Sequence, residues 1–346
     1  MSRSTLSLSL LAVSLMAAGC LGGPARTSGS GGGEDDVAHA PVEAWSPGSW
    51  WSFRVLYDEA KSFDVTLVVA ETHPTHHILG SNVTNGFFGL PFNGTVKRPN
   101  LEPMLGGEPW RLFDFPLEVG KTWTYALFGH ELVARVVGVH GGIFDLEATS
   151  FGQRIMTYTY DPDAGFFSRL AIFDPGEGGA KVVEATLLDH GDAYSAGYYV
   201  TVPVRTIDAR FPDTTTGASW KVDPRYERLT ALMLIEGSAG EFRARLLDPF
   251  DRVQQAAQVH VYGVAYESRA VDVAPGLWKL EVLGLGVGRL HFEMLGVEAR
   301  GAPSKSPPID ASVDLAAILA AAQPPRTTPA LPHEGHTTLV SLSVVS

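Results

Sequence analysis

Cysteine is almost missing from this chain of 346 residues, which contains a single one, Cys20. One thiol cannot form an internal disulfide, and a metal site built on several cysteine ligands is excluded for the same reason. Positive charge is also scarce, since 26 lysines and arginines are outnumbered by 38 aspartates and glutamates, for a net charge of −12. An acidic surface repels phosphate backbones, so we expect no nucleic-acid partner.

Long apolar runs are scarce too. The run near the start, Leu6–Ala18, is shorter than the roughly 20 residues that a membrane-spanning helix needs. It follows Arg3 and ends in the small residues Ala17-Ala18-Gly19 before Cys20. A charged start, an apolar middle and small residues at the end predict a secretory signal over residues 1–19.

The residues that end at Cys20 resemble the lipobox of prokaryotic lipoproteins. The resemblance implies that the thiol of Cys20 is lipidated and that cleavage makes this cysteine the first residue of the mature chain. We therefore expect an exported protein, lipid-anchored on the outer face of the cell membrane or in the cell envelope. An ordinary cleaved signal peptide with an incidental cysteine is the alternative.

Two segments of biased composition flank the part that we expect to fold. Residues 20–44 are rich in glycine, serine and acidic residues, which cannot form a core, so we predict a flexible tether. Residues 301–346 form a tail rich in proline and alanine. Within this tail we predict one short helix between residues 310 and 322 and an edge strand over residues 337–345.

Between these segments nearly every apolar block alternates as a β-strand does, so we predict an all-β fold. Trp51 and Phe53, and again Trp123 and Tyr125, stand two positions apart after a glycine, so each pair shares one face of its strand. Burial of each pair in a core is the expected role. The alternative is an aromatic ligand-binding groove formed by Trp50, Phe53, Trp123 and Tyr125.

The first predicted region, residues 45–192, resembles a known family in two phrases. One is Phe115–Gly120 with the following Trp123 and Tyr125, and the other is Tyr160–Phe167. Both are similar to phrases of LolA/LolB-like half-barrel domains of lipoproteins. The resemblance implies a curved antiparallel sheet whose concave side, in some members, holds acyl chains or another lipoprotein.

The second predicted region, residues 198–300, has seven short apolar segments at regular spacing, which predicts a β-sandwich. The predicted strands are Tyr198–Arg205, Leu229–Glu236, Glu241–Leu247, Val259–Val264, Arg269–Val273, Leu277–Leu283 and Arg289–Leu295. The phrase Val273–Val282 resembles the penultimate hairpin of pre-peptidase C-terminal-type sandwich domains. The resemblance implies an accessory, binding or stabilising module, and alternation in the strand predicts that Trp278 is buried.

Three neighbouring histidines, His73, His76 and His77, form the best candidate metal site, because imidazole rings bind zinc and copper. Solvated loop histidines are the interpretation we favour, so we expect no metal and no cofactor. Asn82 and Asn93 begin two N-glycosylation sequons and are candidate modification sites.

No glycine-x-serine-x-glycine elbow or other pairing of a nucleophile with a base is evident, so we assign no catalytic residue. Asp161 and Asp163 lie in a turn between two strands predicted over residues 158–167, where carboxylates bind backbone N–H groups.

The sequence therefore predicts an antiparallel half-barrel followed by a β-sandwich, in a surface-anchored lipoprotein with a non-enzymatic binding or structural role. Its partners would be the membrane and a protein, glycan or lipid ligand. One alternative is a carrier of lipids or hydrophobic ligands that uses the concave face of the half-barrel. Another is a hydrolase with an unrecognised site.

Overall fold

The computed structural model describes residues 37–38, 45–57, 61–84, 87–211, 217–260, 263–303 and 313–323. All of them belong to one compact unit of the chain, residues 35–346. The predicted signal over residues 1–19, the lipidation site Cys20, most of the tether 20–44 and the edge strand over residues 337–345 lie outside the described residues. Within the described residues the fold is all-β, as predicted, with twenty strands, one turn of 3-10 helix and one short α-helix.

The strands are, in chain order, β1 Val37–Ala38, β2 Trp50–Tyr57, β3 Lys61–Thr72, β4 His76–Ser81, β5 Phe92–Lys97, β6 Glu102–Leu105, β7 Glu108–Pro109, β8 Leu117–Glu118, β9 Thr122–Leu127, β10 His130–His140, β11 Ile143–Ser150, β12 Gln153–Asp161, β13 Phe166–Asp174, β14 Ala180–Gly191, β15 Tyr198–Phe211, β16 Ala218–Val222, β17 Arg228–Leu247, β18 Val253–His260, β19 Gly263–Val271 and β20 Gly276–Arg300. The 3-10 turn is Pro175–Glu177 and the helix α1 is Leu315–Ala321.

Twelve strands form a first antiparallel sheet in the order β9-β10-β11-β12-β13-β14-β2-β3-β4-β5-β6-β7. The pairing of β14 with β2 places His190 opposite Trp51, so distant parts of the chain lie side by side. No ladder joins β7 to β9 among the described residues, so these twelve strands do not close into a barrel. In the segment predicted as a tether, β1 pairs with β8.

Alternation of apolar and polar residues determines which side of this sheet is buried. In β9 the side chains of Trp123 and Tyr125 are buried and the residues between them are exposed. In β2 the side chains of Trp51 and Phe53 are buried in the same way. The prediction that both aromatic pairs lie in a core is confirmed.

The hairpin predicted over residues 158–167 is also present, as β12 and β13. Its turn is held by the Asp161 carboxylate, whose Oδ1 accepts hydrogen bonds from the backbone N–H of Asp163 at 3.0 Å and of Ala164 at 3.4 Å. The role predicted for the turn carboxylates is confirmed for Asp161.

The first core, inside this sheet, combines aliphatic side chains with many aromatic rings, and the helix α1 packs against it. Its largest fully buried side chains include Phe53, Trp110, Phe113, Phe144, Tyr158, Tyr160, Phe166 and Phe167. The helix adds the buried side chains of Ile318 and Leu319, and its first turn is capped by Asp314, whose carboxylate accepts from the Ala317 N–H at 2.9 Å. The short helix predicted in the tail is therefore confirmed.

The region after residue 198 has six strands, and three of them are much longer than predicted. The predicted pairs Leu229–Glu236 with Glu241–Leu247, and Leu277–Leu283 with Arg289–Leu295, are each one continuous strand, β17 and β20. The short boundaries were wrong because glycines interrupt the apolar pattern without ending the ladder. β17 continues through a register shift after Gly237, where glycine lets a strand bend at low cost.

A second core lies on one face of these long strands, and both halves of β17 and of β20 contribute to it. Trp278 is fully buried there, opposite Trp220 of β16, and Leu280 is buried beside it. Leu277 is 53% exposed, so the predicted register of this strand is confirmed. The domain limits near residues 192 and 198, and the sandwich arrangement, stay predictions.

Candidate functional site

A cavity of about 450 Å³ lies between strands of the first sheet and the long strands of the second region. Its walls come from β3, β4, Val83, Thr84 and residues between 87 and 92 on one side, and from β15, β17, β19 and β20 on the other. Cavities of roughly 300–1,000 Å³ hold small organic ligands. The apolar part of the wall includes Leu67, Leu79, Phe87, Leu90, Phe92 and Leu295.

The cavity lies beside a short ladder in which β4 pairs with β15. This approach of the two strands depends on glycines. A Cβ at Gly80 would lie 2.5 Å from the ring of Tyr198 and 2.8 Å from the backbone oxygen of Tyr199. Gly94 has a φ of +87°, and a Cβ there would lie 2.2 Å from the backbone oxygen of Thr201. Glycine at these positions therefore allows the two sides of the cavity to come together.

Arg228, the first residue of β17, is half-buried in the cavity wall. Burial lowers the pKa of its guanidinium, because the charged form loses contact with water. None of the described residues forms an ion pair or hydrogen bond with this side chain. Thr230 and Ser268 add hydroxyl groups to the same wall, and Arg269 lines its exposed side. No aspartate or glutamate of the described residues lines the cavity.

Other arginines of similar exposure do have acidic partners. Arg111 pairs with Glu102 at 3.4 Å, and Arg289 pairs with Glu236 at 3.1 Å. The cavity wall is thus positively charged although the chain as a whole has a net charge of −12.

The four aromatic residues considered for a ligand groove do not line this cavity. Phe53 is fully buried and stacks on Phe167 with ring centroids 4.9 Å apart. Trp123 is buried and its indole N–H donates to a backbone oxygen, Tyr125 is buried, and Trp50 is half-buried. Phe53, Trp123 and Tyr125 belong to the first core, whereas Trp50 lies on the other face of β2, with its ring centroid 6.3 Å from that of Tyr194.

The structure divides the three candidate metal-binding histidines. The rings of His73 and His76 stack with centroids 4.5 Å apart, and His73 Nε2 lies 3.3 Å from Glu71 Oε2. His77 is buried, with its Nδ1 3.1 Å from the Thr72 hydroxyl. Burial first, and then the nearby positive charge of Arg98, lowers the pKa of His77 to about 4.

No group of three or more histidine, cysteine, aspartate or glutamate side chains is placed to hold a metal ion within the described part of the chain. In the same part, no helix combines the length and apolar character needed to cross a membrane.

The two sequon asparagines are both engaged with neighbouring groups. The Oδ1 of Asn82 accepts a hydrogen bond from the backbone N–H of Thr66 at 2.8 Å. Asn93 is buried, and its Nδ2 donates to Glu293 Oε1 at 3.1 Å. A glycan on Asn93 would have to replace that hydrogen bond, and glycosylation at either position stays a prediction.

A buried polar group lies on β20 next to the cavity, and sequence reasoning did not identify it. Glu293 and His291 are both more than nine-tenths buried, and His291 Nδ1 lies 2.8 Å from Asp208 Oδ1. Burial raises the pKa of Glu293, although the hydrogen bond from Asn93 opposes this shift. Glu293 Oε2 and His291 Nε2 have no hydrogen-bond partner among the described residues.

The sequence analysis did not identify Arg228 as a site residue either. The predicted strand began one residue later, at Leu229, because a charged residue at a strand end usually lies in solvent. The first half of β17 is apolar on both faces, with Leu229 and Leu232 both fully buried, so alternation gave no signal that Arg228 lines a cavity.

No model of a known protein family matches this chain, and no curated protein sequence matches it. Some solved structures are similar over parts of it. An insecticidal delta-endotoxin from Bacillus thuringiensis, Cry8Ea1, has 7% identity and a TM-score of 0.19, over 73% of this chain and 52% of the toxin. An arabinose-bound α-L-arabinofuranosidase has 10% identity and a TM-score of 0.16, over 31% of this chain and 22% of the enzyme.

A structure of infectious bursal disease virus, Gt strain, has 11% identity and a TM-score of 0.18, over 74% of this chain and 60% of the viral chain. In each of these three cases the matched part is less than two thirds of the other protein. Similarity at these TM-scores does not extend to a shared activity.

Proposed function

We propose that this protein is a non-enzymatic binding protein that holds a small ligand in the cavity between β4 and β17 and is attached to a membrane by a lipid on Cys20. The observation that carries the proposal is the contrast between a first core filled by its own aromatic side chains and a cavity of about 450 Å³ with a wall of mixed polarity. A few polar groups in a largely apolar wall are typical of small-molecule sites.

A carrier that uses the concave face is less well supported, because that space is occupied by buried side chains such as Phe53 and Tyr158. The cavity instead supports the binding of a small ligand between β4 and β17. Membrane attachment is supported by the residues before Cys20 in the sequence. The variant Cys20→Ser should move the protein out of the membrane fraction of cells, and an unchanged distribution would contradict the anchor.

Ligand binding in the cavity is tested with phenylnaphthylamine, a neutral apolar dye that fluoresces when it leaves water. The variant Thr230→Phe places a ring in the cavity wall and should abolish most of the fluorescence gain. Thr157 is a matched control, since it is an equally half-buried strand threonine that does not line the cavity. If Thr157→Phe reduces binding as much as Thr230→Phe, or if the parent protein binds no dye, the proposed function is wrong.

A further inference from the structure

We infer that the ligand of this cavity is an amphipathic organic anion, an apolar body with one acidic group, and that the acidic group binds Arg228. The inference rests on the proposed binding function and specifies the class of ligand. Besides the binding of an apolar body, it assigns the binding of an acidic group to the side chain of Arg228.

The first argument is the missing partner of Arg228. A half-buried cation without a counter-charge is unfavourable, and proteins usually pair such groups. Three positions earlier, Arg225 has its Nε 3.1 Å from Glu298 Oε1, and its guanidinium lies over the ring of Tyr226. Arg228 has no such contacts within the described residues. A carboxylate, sulfonate or phosphate would supply the missing partner, and guanidinium binds such groups through two parallel hydrogen bonds.

The second argument is the register of β17 and β20, which places an apolar surface next to the arginine. Arg228 is opposite Val297 and Thr230 is opposite Leu295, so the four side chains share one face of the ladder. All four line the cavity. An acidic group at Arg228 would thus have a hydroxyl and two apolar side chains beside it, which fits an anion that carries an apolar body better than a bare inorganic ion.

The nearest buried acid on β20 does not neutralise Arg228. Glu293 lies two positions before Leu295 and does not line the cavity. Its Oε1 accepts from Asn93, and its burial favours the neutral carboxylic acid. The positive charge in the wall therefore stays available to a ligand.

The test compares two dyes with the same aromatic framework, anilinonaphthalene sulfonate, which is anionic, and phenylnaphthylamine, which is neutral. We expect Arg228→Gln to weaken the binding of the sulfonate by about tenfold or more, which is the scale of a charge-assisted hydrogen bond. The same variant should change the binding of the neutral dye by less than about twofold. Arg205→Gln is the control, and its effect on the sulfonate should be small because this arginine is exposed and does not line the cavity.

Competition separates the ligand classes. Dodecanoate should displace the anionic dye from the parent protein, whereas dodecanol and inorganic sulfate at the same concentration should displace it much less. Displacement by sulfate alone would overturn the amphipathic part of the inference. Equal loss of both dyes in Arg228→Gln would overturn the role of the charge.

A melting measurement separates binding from a structural role of this residue. The variant Arg228→Met removes a charge that no described residue pairs with, so without ligand it should melt at the same temperature as the parent or higher. A clearly lower melting temperature would show that Arg228 supports the fold, against the inference. If the parent binds the neutral dye in the cavity but shows no preference for anions, the inference fails and the proposed function stands. If neither dye binds, both fail.

Discussion

The first core and the face of the second region that borders the cavity both lie inside the molecule, but different chemistry lines them. The first core is made of rings such as Phe53, Trp110 and Tyr158. The face beside the cavity carries Arg228 on β17 and Glu293 on β20. Apolar packing needs only area and shape, whereas each buried polar group needs a partner. A ligand would therefore supply missing polar partners on the cavity face and not in the first core.

The largest effect is expected for apolar packing, and it is measured by removing a large ring from the second core, which is apolar like the first. Trp278→Ala should lower the free energy of unfolding by about 3–5 kcal/mol, because it removes a fully buried ring and leaves a cavity. Urea denaturation at neutral pH measures the change. Leu277→Ala, on the exposed side of the same strand, should cost far less, and equal costs would show that the two sides of β20 are not distinguished by burial.

A buried polar group inside the filled region provides the next test. Unfolded His77 binds a proton near pH 6.5, but in the folded protein its pKa is lowered to about 4. Between these values the unfolded state binds more protons, so stability should fall as the pH decreases through this window, by up to about 3 kcal/mol for this residue. The contribution of His77 to the free energy of unfolding is fully present above about pH 6.5 and fully lost below about pH 4.

The variant His77→Phe keeps a ring against Trp45 and should remove this part of the pH dependence. His190, which is exposed, is the control position. The measurement is the free energy of unfolding at several pH values between 4 and 7. A pH dependence in His77→Phe as steep as in the parent would show that other groups cause it.

The smallest effect on the free energy of unfolding is expected for Glu293, on the face beside the cavity. Burial raises the pKa of Glu293, so stability should decrease as the pH rises above the carboxylate's usual pKa and ionisation becomes costly. Glu293→Gln removes that charge and should add about 1 kcal/mol at pH 8. The matched variant Glu267→Gln changes an exposed residue and should be neutral. A less stable Glu293→Gln would mean that the ionised carboxylate has partners that favour it.

Local patterns were enough to predict much of the fold. The alternation around Trp123 and Trp278, and the Asp161 turn, each depend on residues close in sequence, and all three predictions are confirmed. The strand boundaries in β17 and β20 failed at glycines such as Gly237, because a glycine ends some strands and bends others.

The candidate site could not be predicted from local patterns, because its position depends on long-range pairing. Gly80 of β4 pairs with β15, more than one hundred residues later in the chain, and β15 pairs in turn with β20. Nothing in the alternation of one strand specifies which other strand lies beside it. That no described residue pairs with Arg228 likewise becomes visible only when the side chains around it are placed in three dimensions.

The docking of α1 on the first core has a consequence for the order in which the protein folds. A chain is synthesised from its amino end, yet the core that begins with β2 is completed by Leu315, Ile318 and Leu319 near residue 320. When these residues emerge from the ribosome, all strands of both regions are already available. Contacts between such distant positions slow folding, so we expect the first core to be completed only after the strands of the second region have been synthesised.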